Sequence, residues 1–452
     1  MAAVRSRRRF GAVMKQGVRF SGFRRVAVVE RAARIAEATG CGKDEITAAL
    51  HRGGLEARAA DKIVENVLGT YALPYGVVLH MRVNGRDRVV PVAVEEPSVV
   101  AAASSAAKMA LAGGGFHADA DASWMIGQIQ LVDVRDPVAA AMRVLEHKSA
   151  ILAIADAAVP GLVRRGGGVR DVEARILGEP ADAMLCVHLV VDCVDAMGAN
   201  FVTAAAEAVG DELAVLARAR VGVRAASMLC DRRRVRVTCN VPAAALGTET
   251  MPGPDVVDGI VNASRFAELD PYRAATHNKG IMNGIDAVTL ATGNDVRAVE
   301  AGAHAFAVRR GRYAPLAIWR RVEGPAGETS LLGTLELPLA VGIASASQQV
   351  HRAAQMSLRL LGVKSAGELA GIAAAVGLAS NLAAVRALAT DGIQRGHMAL
   401  HARAVALAAG ATGELVQIVA ARIVDARDVT LDGARAALKD LGGAVRRSAG
   451  ED

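Results

Sequence analysis

Four short stretches of the chain gather residue types that do chemistry. The densest is His277-Asn278-Lys279-Gly280-Ile281-Met282-Asn283-Gly284-Ile285-Asp286, in which polar groups alternate with apolar neighbours. A lysine flanked by glycine and amides can sit in a pocket and polarise a carbonyl. A lone lysine is as readily a solvated one. Thr292-Gly293-Asn294-Asp295 follows closely. Asp295 can cap the next helix, or it can hold a neighbouring ammonium in its charged form. Val94-Glu95-Glu96-Pro97-Ser98 places two adjacent acids before a Pro-started helix. They read as first-turn acids that complement the dipole, or one of them reads as a buried general acid. Asp195-Ala196-Met197-Gly198-Ala199-Asn200 follows a strand and opens a helix. Free N–H groups and a positive dipole end suit a pyrophosphate there, and Gly198 lets a ligand approach the backbone closely. A plain capped helix with small packed residues has the same pattern.

Other chemistries find no support. There is no G-x-G-x-x-G and no Walker A loop, so a conventional Rossmann dinucleotide domain is not indicated. His397 and His401 stand four apart on a helix face, a spacing that suits a metal. No Glu lies between them and no third ligand is evident, so we assign no metal. The cysteines Cys41, Cys186, Cys193, Cys230 and Cys239 are odd in number, lack C-x-x-C spacing and sit mostly in apolar runs. Reduced, buried thiols in a cytoplasm fit that usage.

The elements that must position these residues follow from periodicity and punctuation. Arg31–Ala38, Lys43–Leu50 and Asp61–Leu68 read as short helices. Val77–Val83 and Arg88–Val94 read as strands around Asn84-Gly85, a strong hairpin signal. Ser98–Ala112 reads as a helix ended by Gly113–Gly115. Gln128–Val134 alternates like a strand, Pro137–Ala158 is helical in pattern, and Val169–Leu177 and Met184–Val191 are strand-like. Asp195 is expected to cap a long helix to about Ala217, and Arg233–Val241 to close the series as a strand. That order, β-α-β-β-α-β, is the ferredoxin-like split unit, an insertion of common domain size. Val256–Glu268, Asn294–Phe306 and Val350–Leu361 read as helices, Gly333–Val341 as a strand, and the chain beyond Ala389 as two or three helical pieces.

With 452 residues the chain is long enough for two or three domains. Hydrophobic residues make up 52%, which excludes global disorder. Aromatics make up only 3%, so the core must be built from small aliphatic side chains. The net charge of +7 is concentrated at the start, where Arg5, Arg7, Arg8, Arg9, Lys15, Arg19, Arg24 and Arg25 precede the first acid, Glu30. This reads as a solvated tail; no aromatic or motif context supports a nucleic-acid partner. Leu369–Val385 lacks formal charge but is rich in Ala and Gly and contains Ser380 and Asn381. It falls short of the ~20 strongly apolar residues of a membrane span and reads as a buried helix. No apolar run follows the basic start, so no secretory signal is expected.

Taken together, these stretches resemble hydroxymethylglutaryl-CoA (HMG-CoA) reductase, in its soluble class II bacterial form. The matching segments are Glu65–Thr70, Val90–Ala103 with Glu95-Glu96-Pro97-Ser98, Asp195–Asn200, Asp270–Gly280, Thr292–Asp295, Gly333–Glu336 and Gly392–His397. They run in the family's order from about Asp61 to the C-terminus.

The resemblance implies an α+β fold and a four-electron interconversion of HMG-CoA and mevalonate plus CoA. Lys279 would stabilise the oxyanion at the thioester carbonyl. His397 would protonate the departing CoA thiolate. Glu96 would give a proton at the aldehyde stage, and Asp295 would sit between Glu96 and Lys279 and tune both. Ser98, Arg273 and Asn283 match positions near the HMG carboxylate and hydroxyl. Asp195, Ala196, Met197, Gly198, Ala199 and Asn200 match the nicotinamide dinucleotide loop. The implied organisation is a basic tail at 1–24, a large substrate domain at 25–124 and 242–388, an inserted ferredoxin-like nucleotide domain at 125–241, and a C-terminal helical flap at 389–452. The minimal active unit would be a homodimer, assembled further into a hexamer, in the cytoplasm and without membrane or nucleic-acid partners.

Three features depart from the family pattern. The basic tail has no counterpart. Gly342-Ile343-Ala344-Ser345-Ala346-Ser347 stands where relatives are glycine-rich. NADH-using relatives carry an acid near the end of the helix before the Gly-rich break, where this chain has Val159, with Asp156 nearby; Arg164 and Arg165 could instead accept a 2′-phosphate. The rest of the chain lies nearest the mevalonate-degrading members, which favours NAD as cofactor, with NADP as the alternative.

Overall fold

The computed structural model describes Met14 and residues 20–448, apart from 180, 181, 326 and 391; for residues 24, 393–400 and 442–448 it describes the backbone alone. The chain is α+β with two sheets. The first is six-stranded, in the order β2-β1-β3-β8-β10-β9: β1 Tyr75–Val83, β2 Arg86–Ala93, β3 Phe116–Ala120, β8 Arg234–Pro242, β9 Ala317–Glu323 and β10 Thr329–Pro338. The second is four-stranded, in the order β5-β6-β4-β7: β4 Trp124–Val132, β5 Gly168–Leu177, β6 Met184–Asp192 and β7 Arg220–Ala226.

The expected hairpin is present. Asn84 and Gly85 both take positive φ, 50° and 74°, as a two-residue type I′ turn requires. Asn84 also donates to the Ala118 carbonyl and accepts from its N–H, which ties the turn to β3.

The four-stranded sheet has the ferredoxin-like order, but its last strand is not the expected one. The sequence pattern predicts Arg233–Val241 there; the structure uses Arg220–Ala226 in that place. The segment Arg234–Pro242 instead pairs with β3 and β10 in the other sheet. Its alternating Val235, Val237, Cys239 and Val241 are buried in the larger core. Period-two alternation says that one face is buried, not against which sheet.

Three other expectations are corrected. Asp61–Leu68 is not helical: a short helix ends at Ala60 and turns follow, with Asn66 at φ 58°. Ile63, Val64 and Leu68 stay exposed, so among the described residues no surface buries an apolar stripe there, and an isolated short helix is unstable. Asp195 does not cap a long helix. The helix begins at Ala199 after Gly198 and is interrupted at Val209, while the Asp195 carboxylate accepts from Ala366 N–H at the head of a distant helix. The basic start is expected to run as a tail to residue 24, yet Phe20 is buried against Ile35 and Leu360. The rest of that run, residues 1–13 and 15–19, lies outside the described residues.

The longest helix, Ala366–Ala389, passes for a membrane span by length and composition, but 67% of its most apolar window is buried inside the protein. It packs on the helix Pro271–Ala291, where a Cβ at Gly284 would lie 2.7 Å from the Val376 carbonyl oxygen. Only a residue without a side chain permits that approach. Asn381, fully buried, accepts from the Trp319 indole at 2.7 Å and donates to the His277 carbonyl at 3.1 Å. Its polar groups are thereby satisfied inside an apolar layer.

The Pro271–Ala291 helix had no clear periodic signal because it is buried on several sides. Asp270 caps it by accepting from Arg273 N–H, with Pro271 in the first turn, a start signal that was legible. After Thr390, three helices, Ile393–Ala408, Leu415–Asp425 and Leu431–Ser448, pack on their own small core.

Candidate active site

Glu96 lies on the segment that leaves β2 and enters the helix Val99–Leu111. Lys279 and Asn283 stand four apart on the Pro271–Ala291 helix, so they share a face. The two elements meet at these residues. Lys279 Nζ donates to Glu96 Oε2 at 2.7 Å, and Asn283 Nδ2 reaches the same oxygen at 3.5 Å. Lys279 is 59% exposed and Glu96 31%, so the ammonium can engage a ligand without the fold opening. Ser98, two residues on, is held at φ 77°. A non-glycine residue in the left-handed region costs energy and is characteristic of functional sites. Arg273 lies six residues before Lys279 on the same helix, and partial burial lowers its pKa.

Asp295 takes a different place. Its carboxylate accepts from Arg297 and Ala298 N–H groups and pairs with Arg297 at 3.2 Å. It caps the helix Val296–Ala307, while Glu96 and Lys279 meet directly. The side chain of His397 lies outside the described residues; its backbone belongs to the Ile393–Ala408 helix.

A cleft of about 710 Å³ is lined by Gly198, Asn200, Asn294, Asp295, Arg165 and Ser345 among others. It brings the loop Asp195–Asn200 to the Asp295 region. The cleft also includes the glycine-poor departure. Ser345 caps a helical turn reciprocally with Gln348, a Ser-x-x-Gln signal that sequence reasoning passed over. Buried Gln348 donates to the Thr292 and Gly342 carbonyls, both at 2.8 Å. A second cavity, about 560 Å³ around Arg236, Arg309 and Glu336, holds none of the candidate residues.

The loop is held close against the four-stranded unit. At Gly198, φ is 110° and an added Cβ would sit 2.4 Å from Cys193 Sγ and 2.9 Å from Met125 Sδ. The backbone at Gly198 is therefore packed closely on the four-stranded unit, and residues 196–200 line the cleft. Near the Gly-rich break, Val159 is buried. Asp156 is committed to Val169 N–H at 2.7 Å.

Two ionisable groups on the Pro271–Ala291 helix, buried His277 and half-buried Asp286, belong to the stretch noted in the sequence but carry no role assigned there. Asp286 is pushed up to about 8 by burial, by its hydrogen bond with Glu300, and by the charges of Glu300 and Glu95. His277 is pushed down to about 4 by burial and then by the Arg273 charge, although its Nε2 lies 3.0 Å from the Ala317 carbonyl. The imidazole is thus neutral in the fold. Below its ordinary value of 6.5 the unfolded chain takes the proton first. Stability is expected to fall as pH drops from 6.5 towards 4, by about 3 kcal/mol from this group. Urea unfolding at pH 7 and pH 4.5 measures it. The pH dependence should shrink by about that amount in His277→Gln, and an unchanged dependence would rule the histidine out as its source.

The family model for hydroxymethylglutaryl-coenzyme A reductase matches residues 27–402. The chain is 45% identical over 423 residues to the 3-hydroxy-3-methylglutaryl-coenzyme A reductase of Archaeoglobus fulgidus, covering 94% of each. Its structure superposes on the reductase from Streptococcus pneumoniae with a TM-score of 0.78 at 38% identity, covering 94% of this chain and 100% of that one. A further structure of the class II enzyme from Streptococcus pneumoniae, bound to NADPH in open conformations, matches at 39% identity and the same TM-score, over 82% of this chain and 100% of that one. With these likenesses over nearly its whole length, the chain belongs to the hydroxymethylglutaryl-coenzyme A reductase family.

Proposed function

We propose that this chain interconverts HMG-CoA and mevalonate plus CoA, in two hydride transfers with a nicotinamide dinucleotide. The observation that carries this reading is the half-exposed Lys279–Glu96 pair at 2.7 Å, with Asn283 beside it. A cation and a carboxyl in contact provide what reduction of a thioester needs from the protein. Lys279 Nζ donates to the thioester oxygen and stabilises charge as it develops there. Glu96 holds the proton that the aldehyde oxygen takes up. His397 protonates the CoA thiolate, and the Asp295 carboxylate tunes Glu96 and Lys279. Ser98, Arg273 and Asn283 hold the HMG carboxylate and hydroxyl. A reduced nicotinamide supplies the hydride, and residues 195–200 hold the dinucleotide.

In this reading the four-stranded unit is the nucleotide domain, and 389–452 closes over the site. The active unit is a homodimer that assembles to a hexamer in the cytoplasm. Exposed Leu68, Tyr71, Phe266, Leu269 and Tyr272 support a partner copy that covers them. The test is nicotinamide absorbance in both directions, with HMG-CoA plus reduced cofactor and with mevalonate, CoA and oxidised cofactor. No turnover in either direction from a folded oligomer would sink it.

For the cofactor, the cleft favours NADP(H) over the NAD-linked degradative alternative. The expected acid position is the apolar, buried Val159, Asp156 Oδ1 already accepts from Val169 N–H, and Arg165 lines the cleft. Arg165→Ala should raise KM for NADPH by about tenfold, the scale of one lost charge-assisted phosphate contact, and leave KM for NADH within about twofold. Equal effects on both cofactors would remove the 2′-phosphate assignment and return the choice to NAD.

A further inference from the structure

Runs of arginine are ordinarily solvated, but Arg233, the middle of Arg232–Arg234, is only 4% exposed. Among the described residues its guanidinium makes no ion pair with a carboxylate. It donates instead to backbone: Nη1 to the carbonyls of Ala196 at 3.1 Å and Met197 at 2.9 Å, and Nη2 to that of Val341. Burial lowers its pKa; the nearby thiols of Cys193 and Cys230 and the charges of Asp195 and Asp192 oppose this. A buried cation held only by carbonyl dipoles is costly unless it serves something.

The peptide bonds here are trans. In a planar trans peptide the C=O and the following N–H point in opposite directions. With the Ala196 and Met197 carbonyls drawn to Arg233, the Met197 and Gly198 N–H groups face the other way. The Asp195 carbonyl is taken by Ile343 N–H at 3.0 Å, so three successive carbonyls are engaged inside the protein. Residues 196–200 line the cleft. The loop runs directly into the helix that starts at Ala199; the Ala199 N–H is directed at Met197 Sδ at 3.5 Å, and the next N–H groups of the first turn have no partner within the helix. Successive amides pointed into a concavity bind anions.

We infer that Arg233 is a positioning residue for the dinucleotide: it turns the carbonyls of the 196–197 loop inward and its amides outward, and sets a buried positive charge beneath the pyrophosphate. This rests on the reductase reading above. Because the pyrophosphate is common to both cofactors, Arg233 acts on NADPH and NADH alike, unlike Arg165.

The experiment compares the full-length chain with Arg233→Met and Arg233→Lys, by fluorescence titration with NADPH and NADH and by steady-state kinetics. Arg233→Met should weaken both dinucleotides by the same factor, about thirtyfold. At saturating cofactor, kcat and KM for HMG-CoA should stay within about threefold, the pattern of lost uniform binding. Arg233→Lys, which keeps the charge but cannot span three carbonyls, should recover part of the affinity. A folded Arg233→Met with unchanged affinity overturns the inference, as does a loss confined to kcat or to one cofactor. If Arg233→Met does not fold, Arg233→Lys decides: native melting with unchanged affinity for both dinucleotides overturns it equally. Tight dinucleotide binding by the parent chain without turnover would defeat the reductase reading while leaving the Arg233 comparison intact.

Discussion

A Lys279→Ala variant is expected to fold as the parent does and to lose about 10²–10³-fold in kcat for HMG-CoA reduction. Lys279 Nζ lies 2.7 Å from Glu96 Oε2, and the side chain is more than half exposed. Exposed pairs of this kind are worth about 0–1 kcal/mol to stability, so the melting temperature should barely move. The chemical loss is larger because an ammonium directed at a developing oxyanion acts where the charge appears. Dinucleotide affinity should be unchanged, since the 195–200 loop is built by other elements. Arginine is a poor substitute here: its planar fork cannot place a single compact charge at the same point. Steady-state rates, titration of NADPH and a thermal melt separate these outcomes. Retention of most of the parent turnover would end the assignment of Lys279.

Gly198→Val should act in the opposite sense, on affinity rather than on chemistry. At φ 110° a branched side chain is strained, and its Cβ would lie 2.4 Å from Cys193 Sγ. Cys193 and Met125 both sit in the core of the four-stranded unit, so they cannot simply swing aside. Strain and overpacking together should cost about 2–5 kcal/mol. The loop can relieve them only by rising into the cleft, so dinucleotide affinity should fall about a hundredfold or more. Gly311 provides the control. It has φ 83° but nothing within 4 Å of an added Cβ, so Gly311→Ala should carry strain alone and leave binding alone. Equal binding by the Gly198→Val and parent proteins would mean that the loop does not hold the cofactor.

Much of the site was legible because its parts are local. Lys279 and Asn283 are four residues apart. The acids before Pro97 and the glycine before the Ala199 helix are also short-range patterns. The helix around Ser380 and Asn381 reads as buried, and 67% of its most apolar window does lie inside the protein, although its length and composition alone would also suit a bilayer. Other features were missed where a local rule has two outcomes. Asp195 precedes a helix and looks like its cap, yet it caps one 171 residues away. The Pro271–Ala291 helix lacks a one-sided apolar stripe because it is packed on several sides, and its Asp-Pro start was the usable signal.

Residue identity and spacing along the chain thus dictated the hairpin at Asn84-Gly85, most helices and the list of chemical groups. They could not dictate which groups meet. Glu96 and Lys279 are 183 residues apart, and their contact exists only because the segment leaving β2 lies against one helix face. The choice of sheet for Arg234–Pro242 and the burial of Arg233 are of the same kind. Hydrogen bonds and apolar contacts act over a few ångströms in space, whereas a sequence pattern reports only a local period and a local cap. The partner of a polar group, and hence its role, is decided when distant elements pack.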